Sequence, residues 1–243
     1  MADPRLVAVV TDLMDVVNRI TSGSIYSVWS SLDDLSDEAA EAAVAEVVPI
    51  VRGAQRQVAA ITANYVSRVT GLDFGAPQVG ELIPEATWNR SPIGQARRLF
   101  NEGNKVVVAL DTAARRAAQV HSGDVLRARN DAATALSAGT EAVRPLRWAK
   151  VPSPSACTWC RSVATKLYYR PDGLPVHLHD RCGLDAVTPA QAGQYANGAT
   201  MFGSGEWRSR VKSADLRDAQ RAMAATAAEL AAQANRAMLS QAA

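Results

Sequence analysis

Three cysteines and one histidine are the residues whose types and spacing suggest chemistry. Cys157 and Cys160 form a Cys-x2-Cys pair, and His179 and Cys182 form a His-x2-Cys pair that follows after 18 intervening residues. Two residues between ligands allow a tight turn to direct both side chains of a pair at one point. A closed structural zinc site takes four such ligands in a tetrahedron, at roughly 2.0–2.3 Å. The sequence therefore predicts one structural Zn²⁺ ion bound by these four side chains.

Other interpretations of the same residues remain open. Cys157 and Cys160 suit a disulfide or a redox-active dithiol, and all three cysteines suit buried thiols with no special role. His177 is an alternative ligand to His179. The three cysteines lie within 26 residues of a 243-residue chain, which favours a metal site. A carbonyl or carboxylate should then accept a hydrogen bond from the second nitrogen of the ligating histidine, and Asp180 is a candidate.

The segment between the two pairs predicts a β-hairpin that positions the ligands. Residues 166–169 read as a short strand, and residues 170–173 (Arg-Pro-Asp-Gly) are typical of a turn, because proline presets φ and glycine tolerates positive φ. Residues 174–178 would return antiparallel and bring His179 back beside Cys157 and Cys160. We therefore expect a zinc-stabilised β-hairpin module over residues 144–188.

The rest of the chain is predicted to be helical, because alanine supplies much of the apolar content and aromatic residues are only 5%. Apolar spacing predicts a helix over residues 6–20 that ends at Gly23. A second helix should begin at the cap Ser36 and run to Thr70, with a kink or break at Pro49.

Further along the chain, residues 71–91 read as a long loop. Helices are expected over residues 93–120, with a break near Gly103, and over residues 124–138. Thr188 should cap another helix, with Pro189 in its first turn and Gln191 completing a capping box. An alanine-rich helix is predicted over residues 213–240, where Leu216, Met223 and Leu230 repeat every seven residues.

These elements predict a mainly α protein. We expect a helical domain over residues 1–143, the zinc-binding hairpin module over residues 144–188, and a helical tail over residues 189–243. The loop at 71–91 and the heptad stripe of the last helix are candidate contact surfaces with other subunits.

Charge is unevenly distributed along the chain. Residues 1–89 carry a net charge of −7, residues 90–181 carry +8, and residues 182–243 carry +1. The basic residues Arg144, Arg147, Lys150 and Arg161 flank the cysteines, with Trp148, Trp159, Tyr168 and Tyr169 among them. Arginine next to stacking aromatic residues suits a nucleic-acid backbone, so these four basic residues are candidate DNA contacts. Alternatively, the aromatic residues form the small core of the metal module.

Neither a membrane protein nor a secreted one is expected. No apolar run approaches the roughly 20 residues that span a bilayer. The first residues lack the basic start, long apolar run and cleavage site of a signal peptide. We therefore expect assembly in a cytosol, where thiols stay reduced.

The cysteine segment resembles a known family. The stretch from Trp148 to Cys160 (WAKVPSPSACTWC), then Tyr168, then His179-Asp-Arg-Cys182, is similar to the C-terminal motif of MuF-like minor head proteins of tailed phages. Many members end this motif with His-x2-Cys-x-Cys, whereas Leu184 stands at the last position here. The resemblance covers residues 144–188 well and the helical part only in general character.

The resemblance implies a virion component that assembles in the host cytoplasm and is present in few copies, and we expect self-association or multiple copies per virion. It would associate with the portal, the major capsid protein or the inner capsid surface, and would act in head assembly, DNA packaging or DNA ejection. Packaged DNA would be a further partner.

A protease is the alternative function, since some relatives are linked to capsid maturation proteases. His121-Ser122-Gly123-Asp124 holds the residue types of a hydrolase triad, but neighbours on one turn seldom point at a common centre. The chain has neither a Gly-x-Ser-x-Gly nor a His-Glu-x-x-His motif. We therefore expect a structural protein without enzymatic activity.

Overall fold

Four long helices make up most of the part of the chain that the computed structural model describes. The structure describes residues 4–75, 85–140, 146–152, 157–164, 166–171, 174, 182–195 and 221. The helices are α1 (Pro4–Ser30), α2 (Asp37–Thr70), α3 (Glu85–Asn101) and α4 (Val106–Thr140). The prediction of a mainly helical protein is confirmed, and a small antiparallel sheet accompanies the helices.

Helix α4 is the central element of the helical part, since it packs against each of the other three long helices. It runs antiparallel to α1. The Tyr26 hydroxyl of α1 hydrogen-bonds to Asp111 near the start of α4, and Asn18, which comes earlier in α1, hydrogen-bonds to Ser122 about three turns further along α4. At the end of the bundle where α1 connects to α2, Arg97 of α3 donates to the Leu35 carbonyl. The apolar interior at this end of the bundle contains Ile25 and Trp29, which are both completely buried. The other residues of this interior are mostly alanine and valine.

The sheet has three strands: β1 (Arg147–Val151), β2 (Leu167–Tyr168) and β3 (Gly183–Val187). Their order is β2-β1-β3, and both pairings are antiparallel. Two short helices flank the strands, α5 (Thr158–Val163) and α6 (Pro189–Tyr195). One apolar core joins the sheet to the long helices and contains Trp148 and Leu184 together with Tyr65 and Val125.

The predicted helix ends that depend on local chemistry are confirmed. The Ser36 hydroxyl accepts the Ala39 N–H at 3.1 Å, and Gly71 ends α2 in the left-handed conformation with φ of 73°. Thr188 and Gln191 form the expected capping interaction of α6, since Gln191 Oε1 accepts the Thr188 N–H at 2.8 Å. Pro49 lies inside α2 and does not divide it into two helices.

Other predicted helix ends are wrong. Helix α1 continues through Gly23 to Ser30, because Ile25 and Trp29 are fully buried and extend its apolar face. Helix α4 also continues through residues 121–124, where the polar residues His121, Ser122 and Asp124 are buried. Residues 85–91 belong to α3 rather than to a loop. The predicted break near Gly103 is confirmed, with φ of 90° at that glycine.

Most of the predicted hairpin lies outside the described residues. Strand β2 pairs with β1, with Tyr168 opposite Trp148, a pairing that the sequence did not predict. Leu174 is not in a strand, and residues 175–181 lie outside the described part of the chain. The predicted C-terminal helix at 213–240 also lies outside it, apart from Arg221, which is helical.

Candidate metal centre

The Cys-x2-Cys pair lies at the start of helix α5. Cys157 is the N-cap residue, with extended backbone, and its Sγ accepts the backbone N–H of Cys160 at 3.4 Å. Cys157 is exposed and Cys160 is buried. Because one helical turn joins the two residues, they lie close together. A hydrogen bond donated to sulfur favours the thiolate, which is the form that binds metals.

Cys182 lies at the same end of the sheet as this pair. It directly precedes β3, and the register places Val151, the last residue of β1, opposite Gly183. The chain leaves β1 at that point and reaches Cys157 six residues later. Cys182 is buried, and none of the three cysteines is in a disulfide. The disulfide alternative therefore has no support in this structure.

His179, the fourth predicted ligand, lies outside the described residues, as do His177 and Asp180. Among the residues that the structure does describe, no group of three or more histidine, cysteine, aspartate or glutamate side chains is arranged to hold a metal ion. The three cysteines are all described, and in this structure they are not gathered into such a group. Their donor set of three thiols and an imidazole suits zinc.

Helix α4 holds both flanks of the segment that carries the histidines. Arg129 Nη1 donates to the Cys182 carbonyl at 2.6 Å, and Asn130 Nδ2 donates to the Leu174 carbonyl at 3.3 Å. Arg129 Nε also donates to Asn130 Oδ1 at 3.0 Å, which fixes the two side chains relative to each other. The ends of segment 174–182 are therefore anchored to the bundle. Arg129 and Asn130 are not among the site residues predicted from the sequence, although an adjacent arginine and asparagine in an alanine-rich helix are a signal that could have indicated them.

A buried polar contact fixes β3 against the helices. The Tyr65 hydroxyl of α2 donates to the Asp185 carboxylate and accepts the Ala186 N–H at 3.1 Å. Asp185 and Tyr65 are almost completely buried. Because a buried carboxylate is costly without hydrogen bonds, this contact specifies how the sheet docks on the bundle. No local pattern in the sequence indicates this contact, because residues 65 and 185 are far apart along the chain.

The chain also matches the model of a known protein family. The family model described as VG15 protein matches residues 1–202, which include the four long helices, the sheet and the cysteine segment. The chain belongs to the VG15 family. This is a family of viral gene 15 proteins, so the chain is a phage or viral protein, and the match indicates association with the virion. No curated protein and no solved structure matches the chain significantly.

No helix in the described part of this VG15-family chain combines the length and the apolar character needed to cross a membrane.

The basic residues predicted to contact DNA have different environments in the VG15-family chain. Lys150 is only 1% exposed, and its Nζ lies 5.2 Å from the centroid of the Trp159 ring. The Arg147 guanidinium stacks 4.1 Å from the centroid of the Tyr169 ring, which is 75% exposed. Arg161 is exposed, and Arg144 lies outside the described residues. Among the described members of this set, Arg147 and Arg161 are thus the ones that solvent, and hence a nucleic acid, can reach.

The residues considered for a hydrolase triad lie inside the helical part. His121 is completely buried, and its Nδ1 is 3.4 Å from Asp124 Oδ2. The Ser122 hydroxyl instead accepts a hydrogen bond from Asn18 Nδ2 at 2.9 Å. A general base must reach the proton that it abstracts. This arrangement therefore offers no support for proteolysis by these three residues.

Proposed function

We propose that this VG15-family chain is a minor head protein of a tailed phage. It would act in head assembly at the portal or on the inner capsid surface, with a role in DNA packaging or delivery. The observation that carries the proposal is the family match over residues 1–202. The resemblance of the cysteine segment to MuF-like minor head proteins supports it, and so does the core that the sheet shares with the helices.

A structural Zn²⁺ ion bound by Cys157, Cys160, His179 and Cys182 is part of this proposal. The Cys160 N–H bonded to Cys157 Sγ, and the location of Cys182 at the same end of the sheet, support it. Four protein ligands leave no position for water or substrate, so the ion would stabilise the fold rather than catalyse a reaction. It would link α5 to the start of β3.

An exposed apolar cluster supports a role in contacting other proteins. Phe100 at the end of α3 and Val106, Val107 and Val108 at the start of α4 all expose large parts of their side chains. These residues flank the turn at Gly103, at the C-terminal end of α3 and the N-terminal end of α4. Contiguous exposed apolar side chains commonly mark interaction sites.

The test is capture of the full-length chain by purified portal protein and, separately, by major capsid protein. We expect stoichiometric capture by one of them, with at least a tenfold loss of affinity in Val107→Ser, since interface anchors cost 2 kcal/mol or more when truncated. Val107 is 64% exposed, and Ile20 on α1 is 66% exposed, so Ile20→Ser is the matched control. Absence of wild-type capture by either protein, together with absence of the chain from purified virions, would refute the proposal.

Contact with DNA is a second candidate function, favoured by the exposed Arg147–Tyr169 stack. A cavity of about 300 Å³ beside it is lined by Arg147, Tyr169 and Arg170. Arginine and an exposed aromatic ring suit a single strand. The test is fluorescence anisotropy with single-stranded DNA over a range of salt concentrations. We expect Arg147→Gln to reduce the salt slope by about one relative to wild type, with Arg98→Gln on α3 as control. Equal slopes in all three proteins would exclude Arg147 as a phosphate contact.

A further inference from the structure

The turn between α3 and α4 projects from the surface of the bundle. All nine residues from Phe100 to Val108 are exposed, whereas the next two, Ala109 and Leu110, are buried. The first turn of α4 carries three valines in succession, and consecutive helical residues point about 100° apart, so apolar surface covers most of its circumference. We call residues 100–108 the tip. Its large apolar side chains are Phe100, Val106, Val107 and Val108.

Hydrogen bonds hold the tip in one conformation. The backbone N–H and the side-chain Nδ2 of Asn104 both donate to the Leu99 carbonyl, at 3.1 and 2.8 Å. The Lys105 carbonyl accepts the N–H groups of Val108 and Ala109, at 3.0 and 3.2 Å, and so begins α4. A preformed surface loses little conformational freedom on binding. The tip is therefore suited to contact another protein as it stands.

Folding of the bundle does not account for the valines of the tip. Valine is a poorer helix former than alanine, which is abundant in α4. Three valines in succession therefore weaken the first turn of α4, while much of their apolar surface stays in water. A partner that covers this surface accounts for their presence.

Two charged residues of the tip have the opposite sign to the one that the adjacent helix end favours. Glu102 follows the C-terminal end of α3, where the helix dipole favours positive charge. Lys105 precedes the N-terminal end of α4, where the dipole favours negative charge, and the first turn of α4 contains no acidic residue. Glu102 lies 3.8 Å from Arg98, and both side chains are largely exposed, so this ion pair is weak.

A second copy of the chain matches both the apolar and the charged parts of the tip. In a two-fold contact the same surface faces itself, so each interaction between the copies occurs twice. With the valines of two tips in contact, Glu102 of each copy lies at the start of α4 in the other copy, beside Lys105. One partner then covers the apolar surface and provides the acidic group that the start of α4 favours.

We propose that the tip is a two-fold contact between copies of this chain. Stable complexes bury roughly 1,200–2,000 Å², more than four partly exposed apolar side chains provide, so the contact is weak between free chains. It becomes effective where several copies are held together, at effective concentrations on the order of millimolar. This last step rests on the proposed function, which brings copies together at the portal or capsid, whereas the contact itself does not depend on it.

Analytical ultracentrifugation of the full-length chain alone, over rising protein concentration, tests the contact. We expect reversible dimers with a dissociation constant of about 10 μM to 1 mM. Val107→Ser should weaken the dimer at least tenfold, the usual effect of removing an interface anchor. Val107→Thr, which keeps the shape of the side chain, should weaken it in the same direction. Ile20→Ser on α1, at a similarly exposed position, is the matched control and should leave the dissociation constant unchanged.

A charge exchange identifies the partner as a second copy. Glu102→Lys and Lys105→Glu, made singly, should each weaken the dimer several-fold, because each places like charges opposite one another. The double variant exchanges the charges in both copies and should return the dissociation constant to within a few-fold of wild type. Circular dichroism of each variant checks that the exposed substitutions leave the helices intact.

The outcomes separate this contact from the proposed function. A wild-type chain that stays monomeric up to about 1 mM overturns the inference, whether or not portal or capsid protein captures the chain. Dimers that persist unchanged in Val107→Ser and Val107→Thr use another surface and also overturn it. A double variant as weak as the single variants shows that residues 102 and 105 do not meet across a two-fold axis, and the inference is then wrong.

Discussion

At the scale of single residues, Gly183 marks a close approach of strand β3 to helix α1. A Cβ atom at this position would overlap Thr11 Oγ1 and lie 3.1 Å from Thr11 Cβ. Thr11 cannot easily move away, because its hydroxyl donates to the Val7 carbonyl at 2.8 Å within α1. A glycine directly after Cys182 is therefore needed for β3 to pack on α1.

We predict that Gly183→Ala lowers the free energy of unfolding by about 1–3 kcal/mol, the usual cost of overpacking a core. Chemical denaturation followed by circular dichroism measures it. Thr11→Ala should restore much of the loss in the double variant, because it removes the overlapping atoms. Gly53→Ala in α2 is the control, since a Cβ there meets nothing within 4 Å. A Gly183→Ala variant as stable as wild type would mean that β3 does not pack on Thr11.

At the scale of elements, a polar contact links α1 to α4 on the bundle surface. The Tyr26 hydroxyl donates to Asp111 Oδ1 at 2.6 Å, and Arg115 Nε donates to Asp111 Oδ2 at 2.9 Å. Both hydrogen bonds, with that from Arg115 the stronger influence, hold the pKa of Asp111 below its usual value. The bond to Asp111 raises the pKa of Tyr26. The contact therefore favours the ionised carboxylate and the neutral phenol.

We predict that Arg115→Gln raises the pKa of Asp111 toward the ordinary aspartate value, and that Tyr26→Phe raises it by a smaller amount. Because the folded pKa is lowered, the stabilising contribution of Asp111 is present above the unfolded pKa and is lost as pH falls through the folded value. NMR titration of the Asp111 carboxyl measures the shift, with Arg98→Gln on α3 as control. An unchanged Asp111 titration in Arg115→Gln would contradict the proposed cause.

Glycines inside helices show that the packing of a whole helix can outweigh a local sequence signal for a helix end. Gly23 and Gly123 both predict helix ends from sequence, yet α1 and α4 run through them.

We predict that Gly123→Ala raises the free energy of unfolding by about 0.5–1 kcal/mol, because a Cβ there meets nothing within 4 Å and alanine loses less backbone entropy. Gly103→Ala should destabilise instead, since φ at Gly103 is 90°. Thermal unfolding of both variants tests this, and a lower melting temperature for Gly123→Ala would contradict it.

The sequence predicts elements where the chemistry is local. Ser36 and Gly71 identify both ends of α2 because a cap needs only its neighbours in the chain. The ends of α1 and α4 depend instead on Trp29 and other side chains that pack against distant segments. Strand β1 was not predicted, because its partner β3 begins more than 30 residues later and no local pattern specifies that pairing. Cysteine spacing indicated the candidate site, whereas Arg129, Asn130 and Tyr65 required the structure.

At the scale of the whole molecule, the cysteine segment is joined to the helical bundle by a shared apolar core and by hydrogen bonds. The sheet shares its apolar core with the long helices, and Arg129 and Asn130 hold the two flanks of the histidine-bearing segment. A metal ion at Cys157, Cys160 and Cys182 would therefore stabilise more than a local loop. Metal binding should stabilise β3 and the turns of α4 around Arg129 against local unfolding. It should not stabilise the distant turn at Gly103.

Hydrogen exchange of the full-length chain, with Zn²⁺ and then with a chelator, tests this coupling. We predict that metal removal raises exchange in β1, β3 and the α4 turns around Arg129, because ligand binding stabilises whatever unfolds with the site. Exchange near Gly103 should not change, which gives an internal control. Cys182→Ser should reproduce the chelator effect even in the presence of Zn²⁺. If metal removal changes only the cysteine segment, the bundle is independent of the centre; if it changes exchange nowhere, zinc does not stabilise this fold.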